Sequence, residues 1–123
     1  MKEVAEKLKA KEQSMAEEKG PFALFALFLR EDAPDKWDLV VAAEWINENK
    51  EIALKYIAKN IQDTLSQDEL LSLSRIVIID ESNPALKAFH RAMQVEHTMA
   101  EIRDSNFFGL QIKHAYLITS KGP

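Results

Sequence analysis

The sequence predicts an α+β domain built on a mostly antiparallel sheet with helices over one face, in the approximate order α-β-β-α-α-β-α-β-β. Three observations carry this reading. Two pairs of segments that read as strands, residues 22–30 with 37–45 and residues 95–103 with 110–119, are each separated by turn-forming residues, as in hairpins. Helix-start signals stand between those pairs at Ser66 and Asn83. Between these two starts lies Ile76-Val77-Ile78-Ile79, four successive β-branched residues that favour extended backbone.

Residues 1 to 19 read as a helix with an incomplete apolar stripe of Val4, Ala5, Leu8, Met15 and Ala16, thin around Lys11, Glu12 and Gln13, and Gly20-Pro21 ends it. Residues 1–20 thus form an N-terminal helix able to act as an interface element, and residues 21–121 a single compact body. Phe22 to Arg30 and Trp37 to Trp45 form the first hairpin around Ala33-Pro34-Asp35. Asn47 or Asn49 caps a helix running to about Leu65, with Leu54, Ile57, Ala58, Ile61 and Leu65 on one face. Ser66-Gln67-Asp68-Glu69 is a capping box: the serine hydroxyl accepts the Glu69 amide, and the Glu69 carboxylate accepts the Ser66 amide. The Ile76–Ile79 run reads as a central strand buried on both faces. Asn83-Pro84 opens a helix with Leu86, Phe89 and Met93 inward. Val95 to Arg103 and Leu110 to Thr119 form a second hairpin across the loop Asp104 to Gly109, and Gly122-Pro123 a short tail.

Composition bounds the function. The chain has no cysteine, which removes disulfides, thiolate metal sites and thiol nucleophiles and suits the cytoplasm. Its longest unbroken apolar run, Phe22 to Leu29, falls well short of the roughly 18 residues of a membrane helix. A net charge of −4 gives no general polyanion-binding surface, so nucleic acid is an unfavoured partner. A nucleic-acid role would need Arg30, Arg75, Arg91 and Arg103 to gather into one strip. Three glycines, at 20, 109 and 122, cannot build a phosphate or dinucleotide loop, and no cofactor is implied.

The candidate chemistry centres on the last strand. Strict alternation puts Leu110, Ile112, His114, Tyr116 and Ile118 on one face, so an imidazole and a phenol lie among apolar neighbours and need partners. Glu96 can orient them and Arg75 can supply a cation, which makes Arg75, His114 and Tyr116 the ligand-binding candidates and His114, Glu96 and Tyr116 the weak catalytic ones. Such a pocket would favour a small carboxylate or phosphate ligand. No metal site is assigned: the three histidines, His90, His97 and His114, lack metal-binding spacing. A metal-dependent nuclease reading from Asp38, Glu44, Asp104, Gln111 and Lys113 is a minor alternative, as is a Ser74-His114-Glu96 triad. The leading expectation is a small interaction or regulatory domain without catalytic activity. It would associate with itself or another protein, as a homodimer through the N-terminal helix or an open sheet edge.

Overall fold

The computed structural model describes residues 1–122; Pro123, part of the expected tail, lies outside the described residues. The elements are α1 (Lys2–Lys19), β1 (Leu24–Arg30), β2 (Trp37–Ala42), α2 (Glu44–Glu48), α3 (Lys50–Thr64), α4 (Gln67–Leu71), β3 (Leu73–Ile78), α5 (Pro84–Ala92), β4 (Ala100–Phe107) and β5 (Leu110–Ser120). This is the expected α+β order with the short α2 added. The five strands form one sheet in the order β3-β2-β1-β5-β4, antiparallel throughout except for the β2–β3 pair. Helices α2 to α4 make the crossover that the parallel pair requires.

Period-2 alternation divides the β1 side chains between two cores. Phe25 and Leu27 join Leu39, Val41, Tyr116 and Ile118 beneath α1 and α3, while Leu24, Ala26 and Phe28 join Val40, Ala42, Ala115 and Leu117 against α5. The two long helices cover one face and α5 packs on the other. The thin stripe of α1 suffices because Val4, Ala5, Leu8 and Met15 are all buried, and the remaining position on that stripe is filled by a wholly buried acid, Glu12. At its C-terminus Gly20 has φ 128, and a Cβ there would stand 3.2 Å from the Trp45 ring.

The local signals act as read. Asn49 caps α3 by accepting the Ile52 amide at 3.2 Å, and both halves of the Ser66/Glu69 box are present. Asn83 caps α5 with Pro84 in its first turn. Glu69 also accepts Lys7 Nζ at 2.8 Å, so the cap of α4 is tied to α1. The lysine and the Ser66 amide hold the Glu69 carboxyl below its ordinary value.

Four expectations are corrected. The second strand ends at Ala42, and Trp45 lies in α2, where its ring packs edge-on to Phe22 and Tyr56. On α3 the inward row is Ala53, Ile57, Ile61, with Leu65 beyond it, and Leu54 is exposed: the i, i+4 row prevails over the larger side chain. The isoleucine-valine strand β3 is an edge strand, bonded only to β2, with no fully buried residue. The last hairpin is tighter than expected, because β4 continues to Phe107 and turns through Phe108 (φ 55) and Gly109 (φ 76) alone. Positive φ at both turn positions is the type I′ geometry that matches strand twist.

Phe108 is a poor residue for that backbone, since a bulky side chain at positive φ costs on the order of 1 kcal/mol. Its ring stacks on Phe89 at 5.6 Å and lies 6.4 Å from Phe28, which recovers apolar burial worth more than the strain. Phe108→Asn, which gives the turn its preferred Asn-Gly pair, is therefore expected to lower stability by roughly 1 kcal/mol in urea unfolding; a gain in stability would show that turn strain outweighs the aromatic stack.

Candidate functional site

Strand β5 pairs on both sides, and its register decides where His114 and Tyr116 sit. Against β1, Leu29 pairs with His114 and Arg30 with Ile112, which leaves Lys113 as an added residue. Opposite it, β4 is kinked at Asp104, whose φ is 50. This bulge reverses the alternation: Ile112 belongs to the α5 core with Ala115 and Leu117, not to the face of His114 and Tyr116. Phe107 moves to the α5 side in the same way.

On the α1 face, β4 and β5 bring Glu101 opposite Tyr116 and Arg103 opposite His114. Trp37, at the start of β2, reaches across β1 so that its ring centroid lies 5.1 Å from His114 and 5.6 Å from Tyr116, which are 4.8 Å from each other. His114 Nε2 is 3.4 Å from the Glu101 carboxylate but is not aligned for a hydrogen bond. Arg103 Nη2 donates to the other Glu101 oxygen at 3.2 Å, the surface pair that shared strand parity predicts. Desolvation alone would raise Glu101, but the imidazole and the guanidinium together hold its carboxyl below the ordinary value. Burial, with the Glu101 charge second, pushes the Tyr116 hydroxyl above its usual 10, so it stays a neutral donor and acceptor at physiological pH.

The other two candidates stand elsewhere. Arg75 is on β3, opposite Asp38 of β2, on the sheet face that carries Val40 and Val77. Its Nε donates to Asp38 Oδ1 at 3.3 Å while Arg30 Nε approaches Oδ2 at 3.1 Å, so one buried carboxylate links two guanidiniums across three strands. Glu96 precedes β4 and pairs with Lys121 at 3.2 Å. His114 and Tyr116 therefore have Glu101 and Arg103 as neighbours in place of Glu96 and Arg75. Ser74, on β3, is separated from His114 by β2 and β1. Asp38 and Asp104 lie on strands that do not adjoin, and among the described residues no three acids, histidines or cysteines are grouped to hold a metal ion. Arg103 and Arg30 with Arg75 lie on opposite faces, so these arginines form no single strip.

Two constellations escaped the sequence reading. A groove of about 730 Å3 runs between α5 and the β4–β5 turn, lined by Phe89, Met93, Phe107, Phe108 and Leu110. It depends on the bulge that turns Phe107 over, for which the sequence has no marker. The second is a contact between Glu12 and His97 of 2.6 Å. Its signal was present: Glu12 follows Leu8 by four and precedes Met15 by three, squarely on the apolar row of α1.

The cluster around His114 is electrically self-compensated, with one carboxylate facing a guanidinium, an imidazole and a phenol. Removing that carboxylate by Glu101→Gln should lower the alkaline titration of Tyr116 while burial keeps it above 10. Ultraviolet titration in a Tyr56→Phe background reads this directly; an unchanged midpoint would separate Tyr116 from Glu101. The chain matches no protein-family model, no curated protein and no solved structure.

Proposed function

We propose that the chain is a small cytoplasmic interaction domain that self-associates by strand addition at β3. The observation that carries the reading is a mismatch between sequence and position. The Ile76-Val77-Ile78 half of β3 has the composition of an interior strand, yet β3 is bonded on one side only, which leaves a row of backbone donors and acceptors beside these residues.

The opposite edge makes a useful contrast. Strand β4 carries Glu101, Arg103 and Asp104, and its kink at Asp104 interrupts any straight pairing surface, which are established means of blunting an edge. Among the described residues of β3, Arg75 is the only charge, and it is engaged by Asp38. Leu71, at 68% the most exposed large apolar residue, stands two positions before the strand. A second copy is the favoured occupant because antiparallel pairing of β3 with itself about a two-fold axis matches the same apolar patch on both sides. Helix α1, the other expected interface element, directs its buried apolar residues into its own core, which favours the edge over the helix.

Backbone pairing can be tested apart from side-chain packing. The Ile79 amide donates to the Val41 carbonyl, so by the period of two the Ile76 amide points away from β2. Sedimentation from low to high micromolar concentration should show a species of twice the 14.0 kDa chain mass. Ile76→Pro, which deletes the outward amide, should dissociate it, while Ile76→Ala, which shortens the same side chain but keeps the amide, should not. A wild-type monomer throughout, or equal association of the proline variant, defeats the reading.

A further inference from the structure

Glu12 is the one acid in the buried row of α1. It is wholly buried, its Oε1 lies 2.6 Å from His97 Nδ1, and its Oε2 has no hydrogen-bond partner among the described residues. An ionised carboxylate in that position loses its hydration and recovers only part of it from one imidazole.

His97 is unusual for an independent reason. It has φ 51 in the segment between α5 and β4, a left-handed backbone that a histidine adopts at a cost. The segment is pinned to β5 on either side: Val95 exchanges backbone bonds with Ser120, the Thr98 amide donates to Ile118, and the His97 amide donates to Thr119 Oγ1. The break in extended conformation aims the imidazole at α1 in place of solvent. Its outer nitrogen, Nε2, lies 3.7 Å from Glu96, which Lys121 also holds, and the ring remains 31% exposed. A buried acid and a strained histidine thus meet in one contact, the inner partner sealed and the outer one open to water.

We propose that the Glu12–His97 contact is a proton-operated latch between helix α1 and the segment leading into β4, closing more tightly as pH falls from alkaline toward mildly acidic. The proton is taken up by the Glu12 carboxyl. The neutral acid is the form that burial favours, and its hydroxyl can donate to the imidazole, whereas the carboxylate has only the His97 N–H and the neutral Thr119 hydroxyl to answer a full charge. The groups facing Glu12 are His97 and Glu96 from the 93–99 segment and the neutral hydroxyl of Thr119 from β5; His97 and Thr119 favour the ionised form, burial and Glu96 oppose it, and burial dominates.

The sign follows. Because the folded-state value of Glu12 is raised above 4.5, its contribution to stability is complete below 4.5 and is lost as pH rises through the folded value. Glu69, whose pairing with Lys7 also ties down α1, is shifted the other way and acts only at lower pH. The two effects occupy separate windows.

Hydrogen exchange of the α1 amides between Leu8 and Met15, corrected for intrinsic rates, tests the latch as pH is raised from about 5 to about 8. Wild-type protection should fall several-fold across that range. Glu12→Gln, an isostere without the titrating proton, and Glu12→Leu, which completes the apolar row, should both be flat. A flat wild-type profile overturns the proposal whatever the variants do, and so does a slope in either variant as steep as in the wild type.

Discussion

The double pairing of β5 is the constraint from which the rest of the structure follows. Both β1 and β4 bond to this eleven-residue strand, so any residue it gains or loses relative to its neighbours changes which side chains enter which core. It gains one at Lys113 and another between Ala26 and Phe25 of β1, where Ile118 is added. Between these points Ala115 and Leu117 face α5, while His114 and Tyr116 face the α1 side. Beyond the first bulge Ile112 crosses over and meets Phe28 and Phe107. Without that crossing, strict alternation would place Ile112 beside His114 and take an isoleucine from the smaller core. The bulge serves both faces: apolar volume goes to the one covered by a single short helix, and polar groups stay beside Trp37 near the edge strand.

The legible part of this fold was the part written in local chemistry. Ser66 and Glu69 announce a helix start because a hydroxyl and a carboxylate three residues apart satisfy two free amides, and this holds whatever lies around them. Asn83-Pro84 is equally self-contained. The β-branched run at 76–79 correctly signalled a strand, but composition reports how strongly a strand tends to be buried and not where it stands in a sheet. The order β3-β2-β1-β5-β4 places it last because α2, α3 and α4 carry the chain over to the far side of β2. Similarly, Phe107-Phe108-Gly109 lacked the usual turn signature because its first turn residue is an aromatic one, held at positive φ by stacking on another element.

The candidate site was legible to the same degree. Alternation correctly placed His114 next to Tyr116, two residues apart on an unbroken stretch of strand. Their partners came from pairing across strands, which depends on the hairpin register, and moving the turn from a six-residue loop to Phe108-Gly109 exchanged Glu96 for Glu101 as the nearer acid. Arg75 shows the limit of arguing from strand ends: a residue at the start of an apolar strand can point to either face, and here Asp38, buried two strands from β5, claims it.

Buried and partly buried carboxylates among the described residues follow a consistent rule, from which Glu12 departs. Asp38 is buried with two arginines, and the partly buried Glu69 receives a lysine and a backbone amide. Each has at least one Arg or Lys as a partner, residue types that carry a permanent positive charge in water at neutral pH. Glu12 is different: its direct partner is a single imidazole rather than an Arg or Lys, burial raises its carboxyl above the ordinary value, and reaching it requires a left-handed backbone at His97. A leucine at position 12 would have completed the apolar row of α1 at no electrostatic cost, and a lysine in place of His97 would have supplied a permanent counter-charge. The pairing present is the one of these three whose strength depends on proton concentration. It joins α1 to the segment that feeds the edge strand β4, so protonation acts on the seam between the helical layer and the sheet rather than on an isolated surface group.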